Sequence, residues 1–483
     1  MKSSDPLLSA WEKTLAEKRD AAAIFATSGE VLRTFGEIEQ GTRDLLKRID
    51  VFGEGGVLGV QIGNHEDWPS IFIACLRRHL VVLPLEQSIS EQQRHEALKI
   101  CKATAVVSAL SAGALAKEDV PSGGTPEIVR LGTADATADW GKNPPNLLKL
   151  TSGTTATPRA VRFRSEQLLA DCNQICETMG ITDADLNFGV IPISHSYGFS
   201  NLLTPLIARG VPLVISRDRA PRAILADLAR SNATVFPGMP VFYQAFCEVE
   251  PVPRPSKLRL CISAGAPLLI AVAKKFREKF NLPIHPFYGA SECGGICYDR
   301  DATNPSEGFV GEPMQGVTLE MVDPKGSATQ VRVRSAAVGD GYFPEPNEEK
   351  LGDRIFVPDD LLARHGLGFK IVGRISDVIN VAGKKVNPAE VEAHLLRFTG
   401  VRQAVVFGRE SALRNEEVSA CVVATPDVSE TDLLQFCRGV LSTWQVPKRI
   451  FIVGTIPVNE RGKISRRELA RRFSTVRERS SLP

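Results

Sequence analysis

Between residues 55 and 300, short apolar runs alternate with segments of helical periodicity, and this alternation constrains the fold more than any other feature. It predicts parallel sheets covered by helices, with more than one such layer in a stretch this long. The strand candidates are Gly56–Ile62, Leu80–Leu85, Ala103–Ala109, Leu147–Leu150, Phe188–Ile193, Val211–Ile215, Thr234–Phe236, Leu258–Ser263 and Ile284–Tyr288. The helix candidates include Ser165–Thr178, Arg222–Arg230 and Leu268–Phe280.

The pattern changes after Gly308. As far as Arg374, short strand-like runs are separated by many Gly, Pro and Asp residues, which is typical of a small barrel or a distorted antiparallel sheet. After Asp377 the pattern predicts a compact α+β segment. Its predicted elements are helices at Pro388–Phe398 and Glu430–Leu441 and strands at Ala404–Gly408 and Ser419–Thr425.

Composition excludes several classes of protein. Of the 483 residues, 43% are apolar and 24% are charged, which is too apolar for a disordered chain. The net charge of +2 gives no overall excess that would predict a nucleic acid or an acidic membrane as partner. No apolar run approaches the ~18–20 residues that span a bilayer. We therefore expect a cytoplasmic protein of the size of an enzyme with no transmembrane segment, and we expect it to be a monomer or a homodimer.

Cysteines and the basic tail each leave two interpretations. The ten cysteines are scattered, as suits reduced thiols in a cytosol, although Cys172/Cys176 and Cys293/Cys297 have a one-turn spacing. Neither pair has a nearby second pair or histidine, so buried thiols are favoured over a metal site. Residues 444–483 carry ten Lys or Arg against three Glu, a net charge of +7. This tail is either a phosphate-attracting surface or a solvated helix end.

The strongest local signal follows the strand candidate Leu147–Leu150. Thr151–Arg159 reads Thr-Ser-Gly-Thr-Thr-Ala-Thr-Pro-Arg, a hydroxyl-rich turn before a helix that begins near Ser165. Backbone N–H groups and hydroxyls in such a turn can surround an anion, and Arg159 adds fixed positive charge. The Gly-Lys-Ser/Thr ending of a Walker A loop is absent. Taken alone, a loop of this composition is more often only a connection.

Five further motifs follow this loop, and together the six resemble the adenylate-forming superfamily. That family includes acyl- and aryl-CoA synthetases, peptide-synthetase adenylation domains and luciferases. The motifs occur in the family's order, although Ala156 and Arg159 replace the family's usual Gly and Lys. The six are Thr151–Arg159, His195–Gly198, Ser263–Pro267, Tyr288–Glu292, Gly373–Asn380 with Gly383 and Glu390, and Asn459–Arg466.

This resemblance implies a reaction as well as a fold. A carboxylate is a poor electrophile because its leaving group would be oxide, whereas an acyl-adenylate has AMP as a good leaving group. The implied function is therefore ATP- and Mg²⁺-dependent activation of a fatty or aryl carboxylic acid, followed by transfer to the thiol of CoA. The transition state at the α-phosphate concentrates negative charge, so the site needs positioned cations and hydrogen-bond donors.

The resemblance also implies which residues bind the nucleotide and its metal. Glu292 is the expected Mg²⁺ ligand, and the ring of Tyr288 is expected to stack against adenine. Asp360 is expected to accept both ribose hydroxyls, with Asp359 as the alternative, and Arg374 adds charge nearby. The other expected nucleotide-binding residues are Thr151, Ser152, Gly153, Thr154, Thr155, Arg159, Ala264, Gly265, Ala266, Gly289, Ala290 and Ser291.

Catalysis and movement are assigned to a second group of residues by the same resemblance. Lys463 is the expected catalytic cation at the α-phosphate, and His195, with Tyr197 beside it, is expected where the acid enters. Gly383 marks the side presented to the thiol. Ser376 occupies the hinge position, which is commonly charged in the family. Three aromatic residues are equally compatible with an acid pocket and with the core: Phe199, Phe242 and Tyr243.

The predicted fold class is α/β, in two domains. Residues 1–375 would form a large AMP-binding domain of two doubly wound α/β lobes and a small β-barrel lobe. Residues 376–483 would form a small, mobile α+β domain that carries the catalytic lysine. Two rivals to the CoA-ligase interpretation remain: a ligase that loads an acyl carrier protein, and a non-catalytic subunit that binds an adenylate.

Overall fold

The computed structural model describes residues 5–109, 126–131, 138–151, 159–218, 220–250, 253–324, 328–382, 384–411, 415–457 and 465–474. These residues belong to two compact units. The first unit lies within Met1–Val322, Val331–Pro358 and His365–Lys370, and the second lies within Asp323–Gln330, Asp359–Arg364 and Ile371–Pro483.

The first unit contains both long runs of alternating strands and helices. Its helices are α1 Pro6–Lys18, α2 Phe35–Ile49, α3 Trp68–Arg77, α4 Glu91–Ile100, α5 Ser165–Met179, α6 Ser196–Gly198, α7 Thr204–Arg209, α8 Pro221–Ser231, α9 Pro240–Phe246 and α10 Ile270–Phe280, with a π-helical turn at Phe199–Leu203. Its strands are β1 Ala22–Ala26, β2 Val31–Thr34, β3 Val57–Gln61, β4 Val81–Pro84, β5 Ala103–Ser108, β6 Glu127–Arg130, β7 Leu147–Thr151, β8 Arg159–Phe163, β9 Asn187–Gly189, β10 Leu213–Ile215, β11 Val235–Gly238, β12 Leu260–Ser263, β13 Ile284–Ala290, β14 Gly294–Tyr298, β15 Phe309–Pro313, β16 Val317–Met321, β17 Val331–Ser335, β18 Gly341–Phe343, β19 Leu351–Gly352 and β20 Ile355–Phe356.

Local sequence explains where several of these elements begin and end. Thr34 and Glu37 form a reciprocal capping box that starts α2, and Gly180 ends α5 in the left-handed conformation. The β3 and β4 strands are buried along their whole length, as expected for parallel strands covered on both faces. The helix predicted from Ser165 begins at that residue.

Two mixed sheets of the first unit have parallel centres. One has the strand order β18-β8-β7-β4-β3-β5-β6, in which β7, β4, β3 and β5 are parallel neighbours. The other runs β2-β1-β10-β9-β11-β12-β13-β14-β15, and is parallel from β1 to β13. A smaller antiparallel sheet has the order β16-β17-β20-β19. The predicted α/β fold class is confirmed.

One local prediction was incomplete. The sequence indicated a turn directly into a helix after the hydroxyl-rich loop, whereas the structure places β8 between them, antiparallel to β7. Arg159 and Arg162 of β8 are half-buried, whereas Ala160, Val161 and Phe163 are buried. No strand was predicted here because the two arginines interrupt the apolar pattern.

The second unit is built around an antiparallel sheet whose strands are, in order, β24 Lys384–Val386, β23 Ile379–Val381, β26 Asn415–Ala424 and β25 Val401–Ser411, with β27 Arg449–Ile452 parallel to β26. Two small hydrophobic cores lie on this sheet, one including Val406 and Leu433 and the other including Phe407 and Leu469. Among the described residues, no helix of either unit is long and apolar enough to cross a membrane. The helices of this unit are α11 Pro388–Leu395, α12 Glu430–Arg438 and α13 Arg466–Ser474, and a 3-10 turn lies at Ile375–Asp377. The strands β21 Asp360–His365 and β22 Gly368–Arg374 each contain residues of both units.

Candidate active site

The motifs of the first unit lie where parallel strands end. Gly238, Ser263 and Ala290 are the last residues of β11, β12 and β13, and the register pairs Gly238 with Ser263. The amide of Ala264 donates to the carbonyl of Gly238 over 3.2 Å. Ligands of open α/β sheets bind at this carboxyl edge. The fold therefore gathers the predicted acid and adenine motifs at one edge.

The two ends of the hydroxyl-rich loop are held together by the β7–β8 pair. Thr151 and Arg159 are register partners, and the Thr151 hydroxyl donates to the Arg159 carbonyl over 3.3 Å. The predicted phosphate-binding residues Ser152, Gly153, Thr154 and Thr155 lie outside the described residues. The Arg159 guanidinium lies over the ring of Tyr342, 4.4 Å from its centroid. Its buried Nε–H has no acceptor among the described residues, so it is a donor suited to an anion.

Glu292 is held from the neighbouring sheet. The Tyr342 hydroxyl donates to Glu292 Oε1 over 3.1 Å, and the Gly339 amide donates to the Glu292 carbonyl over 2.9 Å. Tyr342 therefore contacts both the candidate metal ligand and the Arg159 cation. Within the described ranges, no group of three or more His, Cys, Asp or Glu side chains is arranged for a metal. One fixed carboxylate fits Mg²⁺, which takes one or two protein carboxylates and fills its octahedron with phosphate oxygens and water.

The turn after Glu292 is fixed from helix α5. Asp171 is buried, and its Oδ1 accepts the Gly295 amide hydrogen over 3.0 Å. Gly294 has φ +69°, and a Cβ there would lie 2.0 Å from Asp171 Oδ1. Only glycine fits at this position, because any side chain would collide with the carboxylate and the backbone is left-handed. The Asp171 carboxylate thus fixes the path of the chain two to three residues beyond Glu292.

The acid-side motif is tied to the same region. The Ser196 hydroxyl donates to the Ser291 hydroxyl over 3.0 Å, which links the His195–Gly198 motif to the Tyr288–Glu292 motif. His195 is half-buried, and its Nδ1 accepts the Tyr197 amide hydrogen over 3.1 Å. This bond directs the other ring nitrogen, Nε2, away from the helix that His195 caps.

Tyr197 is deeper than its predicted role suggests. Its ring is buried against Phe287, and its hydroxyl lies 3.4 Å from the Ile262 carbonyl oxygen and 3.5 Å from that of Gly238. Burial raises the pKa of Tyr197 well above its usual range. The hydroxyl is therefore a neutral donor to the backbone at the ends of β11 and β12. The three other aromatic candidates differ in burial: Phe199 and Tyr243 are fully buried, whereas Phe242 is half-buried.

The adenine-side residues form a tight, largely apolar turn. Ala264 is buried, whereas Gly265 and Ala266 are exposed, and Gly265 has φ +86°. Tyr288 is buried on β13, one residue before a register shift in its pairing with β14. A Cβ on Gly289 would lie 2.7 Å from the Gly294 carbonyl oxygen, so this glycine permits the hairpin to close. Ala290 and Ser291 are half-buried at the end of the strand.

The ribose-side prediction falls in the second unit. Asp360 is buried at the start of β21, and its Oδ1 accepts the Arg374 Nε–H over 2.6 Å. Asp359, the alternative, is half-buried, and its carbonyl accepts the Ile375 amide hydrogen. Asp360 is thus the aspartate paired with Arg374. The backbone of Ser376 lies in the 3-10 turn that follows.

The C-terminal catalytic prediction lies partly outside the described residues, which exclude Lys463 and Gly383. The structure does place Arg466, the last residue of the same motif, at the start of α13. Its guanidinium donates to Asp377 over 2.8 Å, to Glu392 over 2.7 Å and to the Val406 carbonyl over 2.9 Å. The Val406 amide in turn donates to the same Glu392 oxygen over 2.7 Å. One arginine therefore ties together four elements of this unit.

Sequence reasoning missed three side chains that organise the site. Tyr342 stands in a glycine-rich stretch that was interpreted only as loop and short strand. Asp171 lies within the predicted helix Ser165–Thr178, and Lys149 lies within the strand candidate Leu147–Leu150, so neither was a site candidate. A lysine between leucines in Leu147–Thr151 was the available signal, because a charged residue within an apolar strand needs an explanation.

The chain was compared with known proteins. The family model "AMP-binding enzyme" matches residues 11–343, and "AMP-binding enzyme C-terminal domain" matches residues 390–463. A probable CoA ligase of Humulus lupulus is 27% identical over 507 residues, covering 96% of this chain and 95% of its own. A 3,4-dihydroxybenzoate–[aryl-carrier protein] ligase of Bacillus anthracis is 27% identical over 328 residues, covering 67% and 73%.

A solved structure supports the fold. ATP-bound MatB from Rhodopseudomonas palustris superimposes with a TM-score of 0.82 at 22% identity, covering 97% of this chain and 99% of its own. At that identity the likeness concerns the fold alone. The family match extends over most of the chain and includes the motif region of the first unit. The chain therefore belongs to the AMP-binding enzymes, and it is an AMP-forming acid–thiol ligase of the adenylate-forming superfamily, in the acyl- and aryl-CoA synthetase-like group that its motifs predicted.

Proposed function

We propose that this protein uses Mg²⁺ and ATP to activate a fatty or aryl carboxylic acid and then transfers the acyl group to the thiol of CoA. The observation that carries the proposal is the chain of contacts from Arg159 through Tyr342 to Glu292. It places a fixed cation over the face of the Tyr342 ring and a fixed carboxylate at the hydroxyl of the same ring. A magnesium-bound polyphosphate needs both kinds of group.

The first half-reaction follows from these groups. A carboxylate oxygen of the acid would attack the α-phosphorus of ATP, and pyrophosphate would leave with the electrons of the broken P–O bond. Arg159 would stabilise the phosphate charge, with Lys463 proposed as the second cation. Glu292 would hold Mg²⁺, which would neutralise part of the negative charge of the polyphosphate. His195 would bind or gate the acid.

The second half-reaction needs a thiolate. Its sulfur would attack the acyl carbon, and the C–O bond to phosphate would break and release AMP. We keep the division at residues 1–375 and 376–483 as a proposal, with Ser376 as the hinge that exchanges the Lys463 side for the Gly383 side. Such an exchange would use one reaction centre for both steps.

The bound nucleotide would be recognised by the two glycine-containing motifs and by an acidic ribose contact. Tyr288 is proposed to face adenine, with the exposed backbone at Gly265 and Ala266 next to the purine edge. Asp360 is proposed to accept the ribose hydroxyls, and its 2.6 Å bond from Arg374 supports this because the arginine orients the carboxylate. The ten free, buried cysteines support a reducing compartment such as the cytosol.

A carrier protein is the second candidate acceptor. The observation in its favour is the similarity to the aryl-carrier-protein ligase of Bacillus anthracis. Both acceptors present the same phosphopantetheine arm, so the adenylation step would be unchanged. Kinetics with free CoA and with a holo carrier protein from the same source would separate them. Thioester formed only on the carrier, with none on millimolar CoA, would overturn the CoA proposal.

The decisive experiment is ATP–pyrophosphate exchange across a panel of fatty, aryl and small dicarboxylic acids. Acid-dependent exchange is expected from the wild type, and none with any acid would favour a non-catalytic adenylate-binding subunit. Lys463→Ala should lower exchange by roughly 10²–10³-fold, because it removes one preorganised donor at the α-phosphate. Thiolysis of supplied acyl-AMP should survive in the same variant. Equal loss of both half-reactions would make Lys463 a structural residue.

The metal role is tested in the same assay. Glu292→Gln keeps the shape of the side chain and removes its charge, so exchange should fall and half-maximal activity should need more Mg²⁺. Glu307→Gln is the control, because Glu307 is an exposed glutamate outside the predicted motifs and accepts the Ile270 amide hydrogen. An unchanged Mg²⁺ titration of Glu292→Gln would remove Glu292 from the metal site.

A further inference from the structure

Lys149 is a lysine enclosed in the core of the first unit. Its side chain lies on β7, two residues before Thr151, and the residue is 4% exposed. The ammonium donates to the Ser200 hydroxyl over 3.2 Å and lies 4.7 Å from the centroid of the Phe163 ring. The Phe199 ring lies on another side at 5.8 Å. A neutral hydroxyl and two aromatic faces are modest partners for a buried ammonium.

The charges that face Lys149 come from two other elements. Burial lowers the pKa of Lys149, and the carboxylates of Asp171 on α5 and Glu292 after β13 oppose that shift. The direct hydrogen-bond partner of the Lys149 ammonium is the Ser200 hydroxyl, so the attraction of the two carboxylates acts across the core. Coulomb attraction extends further in a protein interior than in water because screening is weak there.

Asp171 contacts the turn that follows Glu292. Its Oδ1 accepts the Gly295 amide hydrogen over 3.0 Å and is seated against the glycine at position 294. Glu292 stands two residues before that glycine and is held on its other side by Tyr342. The turn between Glu292 and β14 is therefore fixed by a buried carboxylate, whose ionised form requires compensating positive charge.

We propose that Lys149 is a positioning residue whose buried ammonium is the counter-charge of Asp171 and Glu292, and that it fixes the turn that orients the Glu292 carboxylate. The inference rests on the proposed role of Glu292 in binding the metal of ATP. Lys149 acts through Asp171 and the glycine turn, and it does not touch the substrate. It also places positive charge on β7, the strand that precedes the candidate phosphate loop.

The test is a double-mutant cycle of four proteins: wild type, Lys149→Met, Asp171→Asn and the double variant. Methionine keeps most of the lysine stem, and asparagine still accepts the Gly295 amide hydrogen. Urea unfolding of the ligand-free proteins measures whether the two charges depend on each other. ATP–pyrophosphate exchange with the best acid, measured well below the unfolding transition, measures positioning in the folded state.

Coupling is expected in both measurements. If the two changes were independent, their effects on the unfolding equilibrium constant would multiply. The constant measured for the double variant should be at least tenfold smaller than this product, so that the double variant is more stable than independence predicts. Exchange should fall about tenfold or more in each single variant, and the double variant should be no slower than either. The control is the same cycle at Lys47 and Asp44, an exposed pair 2.8 Å apart on α2, where effects should multiply within about twofold.

Three outcomes would overturn the inference. Multiplicative unfolding effects at 149 and 171 would show that the two charges are independent. Coupled unfolding with wild-type exchange in the folded single variants would make Lys149 a purely structural residue. Absence of exchange in the wild type would overturn the proposed function and the positioning role with it, while the unfolding cycle would still measure the charge coupling.

Discussion

The two units accommodate an interior charge in opposite ways. In the first unit, the Lys149 ammonium has one neutral hydroxyl partner and two aromatic faces, and its compensating carboxylates act from a distance. In the second unit, the Glu392 carboxylate accepts two direct bonds of 2.7 Å, from Arg466 and from the Val406 amide. The first arrangement depends on the electrostatic field of the core, and the second depends on the geometry of short bonds.

This difference predicts how each unit responds to change. Two distant buried charges can be replaced together by neutral side chains of the same shape without loss of packing, because no charge that needs compensation is then left. A closed set of short bonds cannot be neutralised in this way, because each donor has a specific acceptor. Burial shifts both groups toward their neutral forms, lowering the pKa of Lys149 and raising the pKa of Glu392.

The largest effect is expected for Arg466→Met. The change leaves Glu392 and Asp377 without their arginine, and should lower the unfolding free energy of the second unit by about 2–4 kcal/mol, somewhat below a fully buried pair because these side chains are partly exposed. Hydrogen exchange of peptides within residues 384–457, followed by mass spectrometry, measures the loss locally. Adenylation should fall as well, because Lys463 lies three residues away in the sequence.

The control for that variant is Arg449→Met, which breaks an exposed ion pair with Glu430. It should change the unfolding free energy by less than about 1 kcal/mol. Equal losses in the two variants would mean that the short bonds of Arg466 are no stronger than a surface pair, and the contrast between the units would disappear.

Opposite pH responses are the second prediction. Folding disfavours the ionised form of Glu392, so the stability of the wild type relative to Glu392→Gln should be greatest below about pH 4.5 and should fall as pH rises toward the folded-state pKa. Folding also disfavours protonated Lys149, so the stability relative to Lys149→Met should rise with pH from the folded-state pKa toward 10.5. Each pKa unit by which the folded-state value differs from the unfolded-state value changes the unfolding free energy by about 1.4 kcal/mol.

Urea unfolding of the three proteins from pH 4 to pH 10 measures both slopes. Parallel slopes for the two variants would contradict the prediction, since a lysine and a glutamate shifted by burial must respond in opposite directions. A flat profile for either variant would mean that its side chain keeps an ordinary pKa in the folded protein.

The smallest effect is expected at the surface of the second unit. The Lys384 ammonium lies 4.4 Å from the centroid of the Trp444 ring, which is 37% exposed. Lys384→Met should lower the unfolding free energy by no more than about 1 kcal/mol, because water already solvates an exposed cation well. A loss as large as that of Arg466→Met would show that aromatic contacts, and not short hydrogen bonds, dominate charge accommodation in this unit.

Much of this structure could be predicted from the order of residue types. The apolar runs that predicted β3, β4 and β12 have boundaries close to those observed, and helix α5 begins at Ser165 as predicted. The motif positions followed from the family resemblance, which also assigned Asp360 and Arg374 to the ribose side, and these two residues pair in the structure. These features are local, or repeat a family pattern in sequence, so a single chain suffices to find them.

The rest depends on contacts between distant residues. Tyr342 meets Glu292 across 50 positions and Asp171 meets Gly295 across 124, and no local pattern marks such partners. Strand β8 escaped prediction because its two arginines interrupt the apolar pattern. The inward direction of the Tyr197 hydroxyl was equally hidden, because a motif gives the position of a side chain and not its orientation.

The burial of every cysteine has a practical consequence. All ten thiols are free and buried, eight in the first unit and Cys421 and Cys437 in the second. A thiol reagent can modify them only when the surrounding structure opens, since burial also raises the pKa of most of them. The native cysteines therefore report local opening: the mass of the modified protein, followed over time, counts how many thiols have become accessible, and mass spectrometry of its peptides tells which unit opens first.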